Sequence, residues 1–115
     1  VLYVYEFEED VSRLQPDFQA LVAASPVNVI VSAPGNDCDV VSRFFAPHAG
    51  INEDPVTGSA HCSLVPYWSA RLRTSRLYCR QISARGGNLD CELKDGRVFM
   101  TGSAVTFMRG EVEGI

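Results

Sequence analysis

The stretch Glu53-Asp54-Pro55-Val56-Thr57-Gly58-Ser59-Ala60-His61 places an acidic loop with a proline and a glycine directly before the longest helical pattern of the chain. A helix that begins here has first-turn N–H groups without internal partners, and its dipole adds partial positive charge at the same end. Pro55 fixes its own φ and holds Asp54 extended. We expect Gly58 to allow a backbone geometry that a Cβ would obstruct. The run therefore predicts a helix start that binds an anion, with a carboxylate held beside it.

The same run has a second interpretation, in which Thr57 or Ser59 only caps the helix. Ser59 and His61 are not expected to form a nucleophile and its base, because residues two apart on a helix do not face each other. His61 falls on the apolar stripe of the helix, so we expect a core histidine rather than a catalytic one. Both interpretations of the helix start remain open from the residues alone.

Composition limits the class of protein. The chain has 115 residues, of which 46% are hydrophobic and 21% charged, as in one globular domain. Its net charge of −4 and the lack of a lysine–arginine run argue against nucleic acid or an anionic membrane as partner. No apolar run approaches the roughly 18 residues of a membrane span. No targeting segment is recognisable, so a cytoplasmic protein is expected.

The four cysteines form no C-x-x-C pair and no Cys/His cluster with zinc spacing, so no metal is expected. Without a secretion signal, reduced thiols are favoured over disulfides. Cys79 and Cys91 lie inside strand patterns and are predicted to be small core residues. The chain opens on the strand-like residues 1–5 without an initiator methionine, which suggests a missing upstream segment or a sequence restricted to an ordered part.

Hydrophobic periodicity predicts strands, then one main helix, then further strands. The strands are predicted at 1–7, 27–33, 39–46, 76–83, 88–93, 97–101 and 104–108, a short helix at 15–24, and a loop at 48–58. The main helix is predicted over 59–72, with a kink or a shift in hydrogen bonding at Pro66. Its buried face is expected to carry His61, Leu64, Val65, Trp68 and Leu72. The order predicts an α+β domain with a curved, mainly antiparallel sheet wrapped around one central helix.

Two groups of residues together form a longer pattern. The first group is Asp39-x-x-Ser42-Arg43-x-Phe45-Ala46-Pro47, followed by Gly50-Ile51-x-Glu53-Asp54-Pro55-Val56-Thr57-Gly58-Ser59-Ala60-His61. The second is Pro66-Tyr67-Trp68, Gln81-x-Ser83-x-Arg85-Gly86-Gly87 and Arg97-Val98. With this pattern the chain resembles the phenazine-biosynthesis PhzF-like family. The resemblance covers nearly the whole chain and implies a diaminopimelate-epimerase-like fold, in which two similar lobes enclose the active site. Residues 1–115 are then a single domain, the C-terminal lobe alone.

The resemblance also implies an activity, a cofactor-free isomerisation in which a proton moves between carbons of a small carboxylate-bearing ring. It assigns catalytic roles to Asp54 and Ser59. The predicted substrate-binding residues are Thr57, Gly58, Ser59 and Ala60. The family's glutamate base and histidine belong to the other lobe and have no counterpart here. Related racemases of this fold place a catalytic cysteine near the position of Asp54, so thiol-based racemisation is disfavoured.

Two hypotheses about function follow. In the first, the chain is half of a cofactor-independent isomerase or epimerase for a small acid, weak or inactive without the N-terminal lobe. In the second, it is a stand-alone homodimeric module that binds a small acid or another protein through the apolar surface that a lone lobe exposes. Two arrangements are open for Glu53. It either places a second negative charge beside the Asp54 carboxyl, or it forms an ion pair with Arg43 and leaves Asp54 as the only free acid.

Overall fold

Residues 1–24 and 26–114 are described by a computed structural model, and they form seven strands, three α-helices and one 3-10 turn. The strands are β1 Leu2–Val4, β2 Val29–Pro34, β3 Val40–Ala46, β4 Ile51–Asp54, β5 Arg76–Gln81, β6 Gly87–Lys94 and β7 Arg97–Thr101. The helices are α1 Glu8–Ser12, α2 Phe18–Ala24 and α3 Gly58–Leu72, and the 3-10 turn is Pro47–Ala49. The predicted α+β class is confirmed.

All seven strands belong to one curved, unclosed sheet, in which six follow the order β1-β2-β3-β5-β6-β7 and β4 pairs with β3 off this path. The neighbours are antiparallel except for β1 with β2 and β3 with β5. Along one edge of β3, β5 pairs with its first residues and β4 with its last ones. This change of partner places the end of β4 beside the end of β5, where the loop before α3 begins.

One face of the sheet is covered by α3, as the apolar stripe predicts. The buried residues of this helix are Ala60, His61, Leu64, Val65, Trp68 and Ser69. Trp68 is almost fully buried, and its Nε1 donates a 3.0 Å hydrogen bond to Ser32 Oγ of β2. Ser32 Oγ in turn donates to the carbonyl of Val41 in β3 at 2.7 Å. A chain of polar contacts through the core therefore holds α3 in place against two strands.

The opposite face is covered by α1 and α2, and α1 was not predicted. Glu8, Glu9 and Asp10 lie between the strand predicted at 1–7 and the helix predicted at 15–24, and they form the first turn of α1. Carboxylates are favoured there by the helix dipole, and Asp10 also accepts a hydrogen bond from the Phe7 amide. Val11 of α1 joins a second apolar cluster with β2 and β3.

Three other expectations about secondary structure are wrong. The segment 48–58 is not all loop, because Ile51–Asp54 pairs with β3 as strand β4. Leu72 is 40% exposed, because α3 ends there and Arg73 takes a left-handed conformation. Residues 104–108 form no strand, and Val105 and Phe107 are 92% and 97% exposed. An alternating pattern needs a neighbouring strand to stabilise it, and the segment finds none in the described part of the chain.

Pro66 neither ends nor divides α3, which runs from Gly58 to Leu72 with the proline inside it. The proline lies on the exposed side of the helix, away from the buried face. Its missing N–H therefore leaves an acceptor near solvent and not in the core. This position makes the proline tolerable in the longest helix of the fold.

Candidate functional site

The predicted site residues lie in one short loop and the helix turn that follows it. Asp54 is the last residue of β4 and pairs with Phe44 of β3. Thr57 is the N-cap of α3, and Gly58 begins the helix. Because β4 is held by the sheet and α3 by the core, both ends of the loop are anchored. The carboxylate and the helix start are thus fixed beside each other, as the sequence predicts.

Gln81, at the end of β5, is fully buried, with 0% exposure, and its side-chain amide forms hydrogen bonds with this loop. Its Oε1 accepts a 2.7 Å hydrogen bond from the Thr57 amide. Its Nε2 donates to the Asp54 carbonyl at 2.8 Å and to the Thr57 hydroxyl at 3.1 Å. The Thr57 hydroxyl donates to Oδ2 of Asp54. The glutamine amide thus ties together the two ends of the loop.

Gln81 was noticed in the sequence only as part of a family motif, without a role. A signal for its role was available, because the inward positions of β5 are Leu77, Cys79 and Gln81. A polar side chain at an inward strand position has to be hydrogen-bonded in the core. The partners it finds could not be read from the sequence, because they lie 24 and 27 residues away along the chain.

Thr57 does not cap α3, so that alternative is wrong for this residue. Its φ and ψ of −120° and 101° are those of an N-cap, but its side chain makes no cap hydrogen bond. The hydroxyl is engaged with Asp54 and Gln81 instead. Within the described residues, the N–H groups of Gly58, Ser59 and Ala60 have no hydrogen-bond acceptor. The first turn of α3 therefore keeps unsatisfied donors.

The residues of this first turn differ in what they offer. Gly58 and Ser59 are exposed, and the Ser59 hydroxyl makes no hydrogen bond to another described residue. Ala60 has its side chain in the hydrophobic core, so only its N–H is relevant to binding. Both hydrogen-bond donors of Thr57, its N–H and its hydroxyl, bind acceptors inside the protein. The assignment of all four residues to substrate binding stays a prediction.

The loop is braced a second time from the turn between β5 and β6. Ser83 Oγ donates to the Pro55 carbonyl at 2.8 Å and accepts from the Gly86 amide at 3.0 Å. At Gly87 a Cβ would fall on the side chain of Val56, so the glycine permits the turn to lie close against the loop. The Arg85-Gly86-Gly87 motif therefore acts in the structure as a turn that supports residues 55 and 56.

Glu53 forms an ion pair with Arg43, which is the second of the two arrangements that the sequence left open. The guanidinium donates to both carboxylate oxygens at 2.8 and 3.0 Å, and the side chains are only 12% and 21% exposed. The same guanidinium donates to the carbonyls of Val11 and Leu14 at the end of α1. A bidentate pair with further hydrogen bonds is a strong version of this contact. It leaves Asp54 as the acid of the motif that is not in an ion pair.

His61 is a buried core histidine, as expected. Its Nδ1 lies 2.8 Å from the Thr57 carbonyl, which can only accept, so Nδ1 carries the proton. Its Nε2 is buried and has no partner among residues 1–24 and 26–114. Burial lowers the pKa of His61 from its ordinary value, against the opposing effect of the bond to Thr57. The imidazole is therefore neutral, and its proton helps to hold the N-cap residue.

Gly58 is not explained in the way that the sequence suggested. Its φ is not positive, and a Cβ added to it would meet nothing within 4 Å. The expectation that a side chain would be obstructed by the protein itself is therefore wrong. The space where a Gly58 side chain would lie is open.

The expectation that Cys79 and Cys91 are core residues is confirmed. All four thiols are free, and Cys79 and Cys91 are buried on neighbouring strands. The neighbouring Cys91 thiol and burial raise the pKa of Cys79, so its thiol stays protonated. No cluster of three or more potential metal ligands occurs among the described residues. No described helix has the length and hydropathy needed to cross a bilayer.

Comparison with known proteins shows the family of the chain. Residues 1–110 match the PhzC-PhzF family, described as phenazine biosynthesis-like protein. The chain belongs to this family. It is 51% identical over 112 residues to an uncharacterized isomerase of Pseudomonas aeruginosa, which covers 97% of the chain and 43% of that relative. It is 53% identical over 73 residues to the mouse phenazine biosynthesis-like domain-containing protein 1, which covers 63% of the chain and 25% of that relative.

A solved structure shows the same fold. The crystal structure of a PhzF-family phenazine biosynthesis protein from Enterococcus faecalis superposes with a TM-score of 0.89 at 49% sequence identity. The match covers 97% of this chain and 44% of that one. The chain thus spans less than half the length of the relatives that it matches along nearly its whole sequence.

Two glycines near the site predict effects of different size for the same substitution. Gly58→Ala adds a methyl group to open space and should change the free energy of unfolding by less than about 0.5 kcal/mol. Gly87→Ala forces Val56 to move and should cost about 1–3 kcal/mol. Urea unfolding followed by circular dichroism measures both. Equal effects would contradict the open surface in front of α3.

The neutral, buried His61 predicts a pH-dependent stability. Its folded-state pKa is lowered, so the unfolded chain binds more protons, and the free energy of unfolding falls as pH drops below about 6.5. A single proton limits this slope to about 1.4 kcal/mol per pH unit. In His61→Asn the amide nitrogen can replace Nδ1 without titrating, so this component should vanish. Identical slopes for both proteins between pH 4.5 and 7 would refute the assignment.

Proposed function

We propose that the chain is one half of a cofactor-independent isomerase that moves a proton on a small carboxylate-bearing substrate. The observation that carries the proposal is the uncapped start of α3 next to the fixed carboxylate of Asp54. Several relatives of this family carry the name isomerase, which supports the same class of reaction. An anion site beside a positioned acid is what such a reaction requires.

In this proposal the substrate carboxylate lies against the N–H groups of Gly58, Ser59 and Ala60, and the Ser59 hydroxyl donates to it. These donors form the positive end of the α3 dipole, and they are already oriented before the substrate arrives. The same donors stabilise negative charge that spreads into the carboxylate when a neighbouring C–H loses its proton. No metal is needed for that stabilisation, because backbone amides supply it.

Asp54 is the proposed proton-handling group. Its Oδ2 accepts from the Thr57 hydroxyl, and its Oδ1 makes no hydrogen bond to another described residue. One oxygen is therefore held, while the other has no hydrogen-bond partner among the described residues. Glu53 is in an ion pair with Arg43, so its carboxylate does not compete with that of Asp54 for the same proton. A second acid or base on the opposite side of the substrate would come from the other half of the enzyme, so we expect the chain alone to be weak or inactive.

Binding of a simple aromatic acid tests the proposal. Benzoate, added in an NMR titration, should shift the amide signals of Gly58, Ser59 and Ala60, whereas benzamide, its neutral analogue, should not. Ser59→Ala removes a hydrogen bond to a charged group, worth about 1.5–3 kcal/mol, and should weaken benzoate binding about tenfold or more. Ser63→Ala, an exposed serine one turn later in α3, is the matched control.

Two results would count against the proposal. If benzoate and benzamide shift the same signals equally, the helix start does not recognise charge. If Ser63→Ala weakens binding as much as Ser59→Ala, the bound acid lies elsewhere on α3.

Exposed apolar residues support a second candidate, a homodimeric interaction module. Val105, Phe107, Met108 and Val112 are each at least 80% exposed, in the stretch that follows β7. Apolar groups presented together at a surface favour association. A contact between two copies around a two-fold axis would cover both stretches with the same residues.

Self-association of the purified chain tests this candidate. Light scattering should report a mass that rises from 12.6 kDa toward twice that value as concentration increases. Phe107→Ser should shift the transition to higher concentration, since it removes the most exposed aromatic side chain. Val22→Ser, at a half-exposed position on α2, is the control. A monomer at all concentrations would eliminate the module.

A further inference from the structure

Thr57 and Gln81 form a hydrogen-bond network whose direction is determined by chemistry. The Thr57 N–H can only donate, so the Gln81 atom 2.7 Å from it is the oxygen, and the amide nitrogen points the other way. This nitrogen can only donate, so the Thr57 hydroxyl accepts from it. The hydroxyl has one proton, and the remaining neighbour that can accept it is Oδ2 of Asp54. The orientation of one buried amide therefore determines where the Thr57 hydroxyl proton points.

The network has a second effect, on the helix. A threonine at the N-cap normally accepts a hydrogen bond from the N–H of the second or third helical residue, here Ser59 or Ala60. Thr57 has the backbone conformation for this bond and does not make it. The side-chain orientation that satisfies Gln81 and Asp54 turns the oxygen away from the helix. The first turn is left open by interactions made beneath it, and not by the absence of a capping residue.

We propose that Gln81 is a positioning residue, which keeps the start of α3 open to an acidic ligand by engaging the threonine that would otherwise cap it. Through the same threonine it holds one oxygen of Asp54 and leaves the other free. The inference about the ligand rests on the proposed function, whereas the inference about the cap does not. Gln81 itself is fully buried and acts through Thr57, so it has no direct contact with a ligand.

Gln81→Met tests the proposal, because methionine fills a similar volume without hydrogen-bonding in the same way. The freed Thr57 hydroxyl should then accept from Ser59 or Ala60. Exchange of that amide with solvent should slow about fivefold, the size expected for one cap bond, and benzoate affinity should fall by a similar factor. Adding Thr57→Val removes the cap again, so the double variant should recover fast exchange and benzoate binding. A merely structural role of Gln81 predicts no such recovery.

Ser83→Ala is the matched control. It removes the other brace of the loop, at the Pro55 carbonyl, without touching Thr57. It should leave exchange at Ser59 and Ala60 at the wild-type rate. Slowed exchange in this variant would overturn the proposal, because any loosening of the loop would then cap the helix.

The remaining outcomes separate the two proposals. Unchanged exchange in Gln81→Met, or a double variant that behaves like Gln81→Met, overturns the role of Gln81. If exchange responds as expected but wild type does not bind benzoate, the role of Gln81 stands and the proposed function fails. If Gln81→Met does not fold, the wild-type protein decides: protection of the Ser59 or Ala60 amide from exchange overturns the proposal, and fast exchange beside a protected Leu64 amide supports it.

Discussion

The hydrogen bonds of one buried amide, that of Gln81, connect the sheet to the loop on which the candidate site is built. A buried amide without partners costs more free energy than its hydrogen bonds return, so its position and its partners have to be compatible. Here the partners are the backbone at Asp54 and Thr57 and one hydroxyl. The loop can take few other shapes without leaving part of this amide unpaired. Packing in the core thereby determines where the carboxylate and the helix start lie.

Support for the loop reaches it from both faces of the sheet. On the face covered by α3, Trp68 and His61 hold the helix and its N-cap residue through Ser32 and Thr57. On the other face, Arg43 links Glu53 to the carbonyls that end α1. The residues next to Asp54 are therefore tied to elements that are far apart in the chain. A site that has to act as a preformed anion cradle gains from this rigidity, because the donors need no reorganisation.

The parts of the fold that could be predicted are those with local signals. The stripe of apolar residues predicts α3 within one residue at its start, and the β-branched runs predict β2 and β3 within about two residues. Two elements were not predicted: α1, because five residues are too few for a clear period, and β4, because Ile51–Asp54 is mostly polar. The alternating pattern at 104–108 predicted a strand, but a strand also needs a partner. Family resemblance, not periodicity, pointed to Asp54 and Ser59 as catalytic.

Local chemistry in the sequence determines that a helix begins after Thr57, that a carboxylate precedes it by a few residues, and that proline and glycine shape the connection. These follow from φ restrictions, dipoles and hydrophobic period, all of which act over a few residues. Whether the helix start is capped does not follow, because Thr57 can serve either α3 or Gln81. That choice depends on a residue 24 positions away, brought close by the parallel pairing of β3 and β5. Long-range packing decided between two hydrogen-bond arrangements that are locally equivalent, and so left the amides of α3 open.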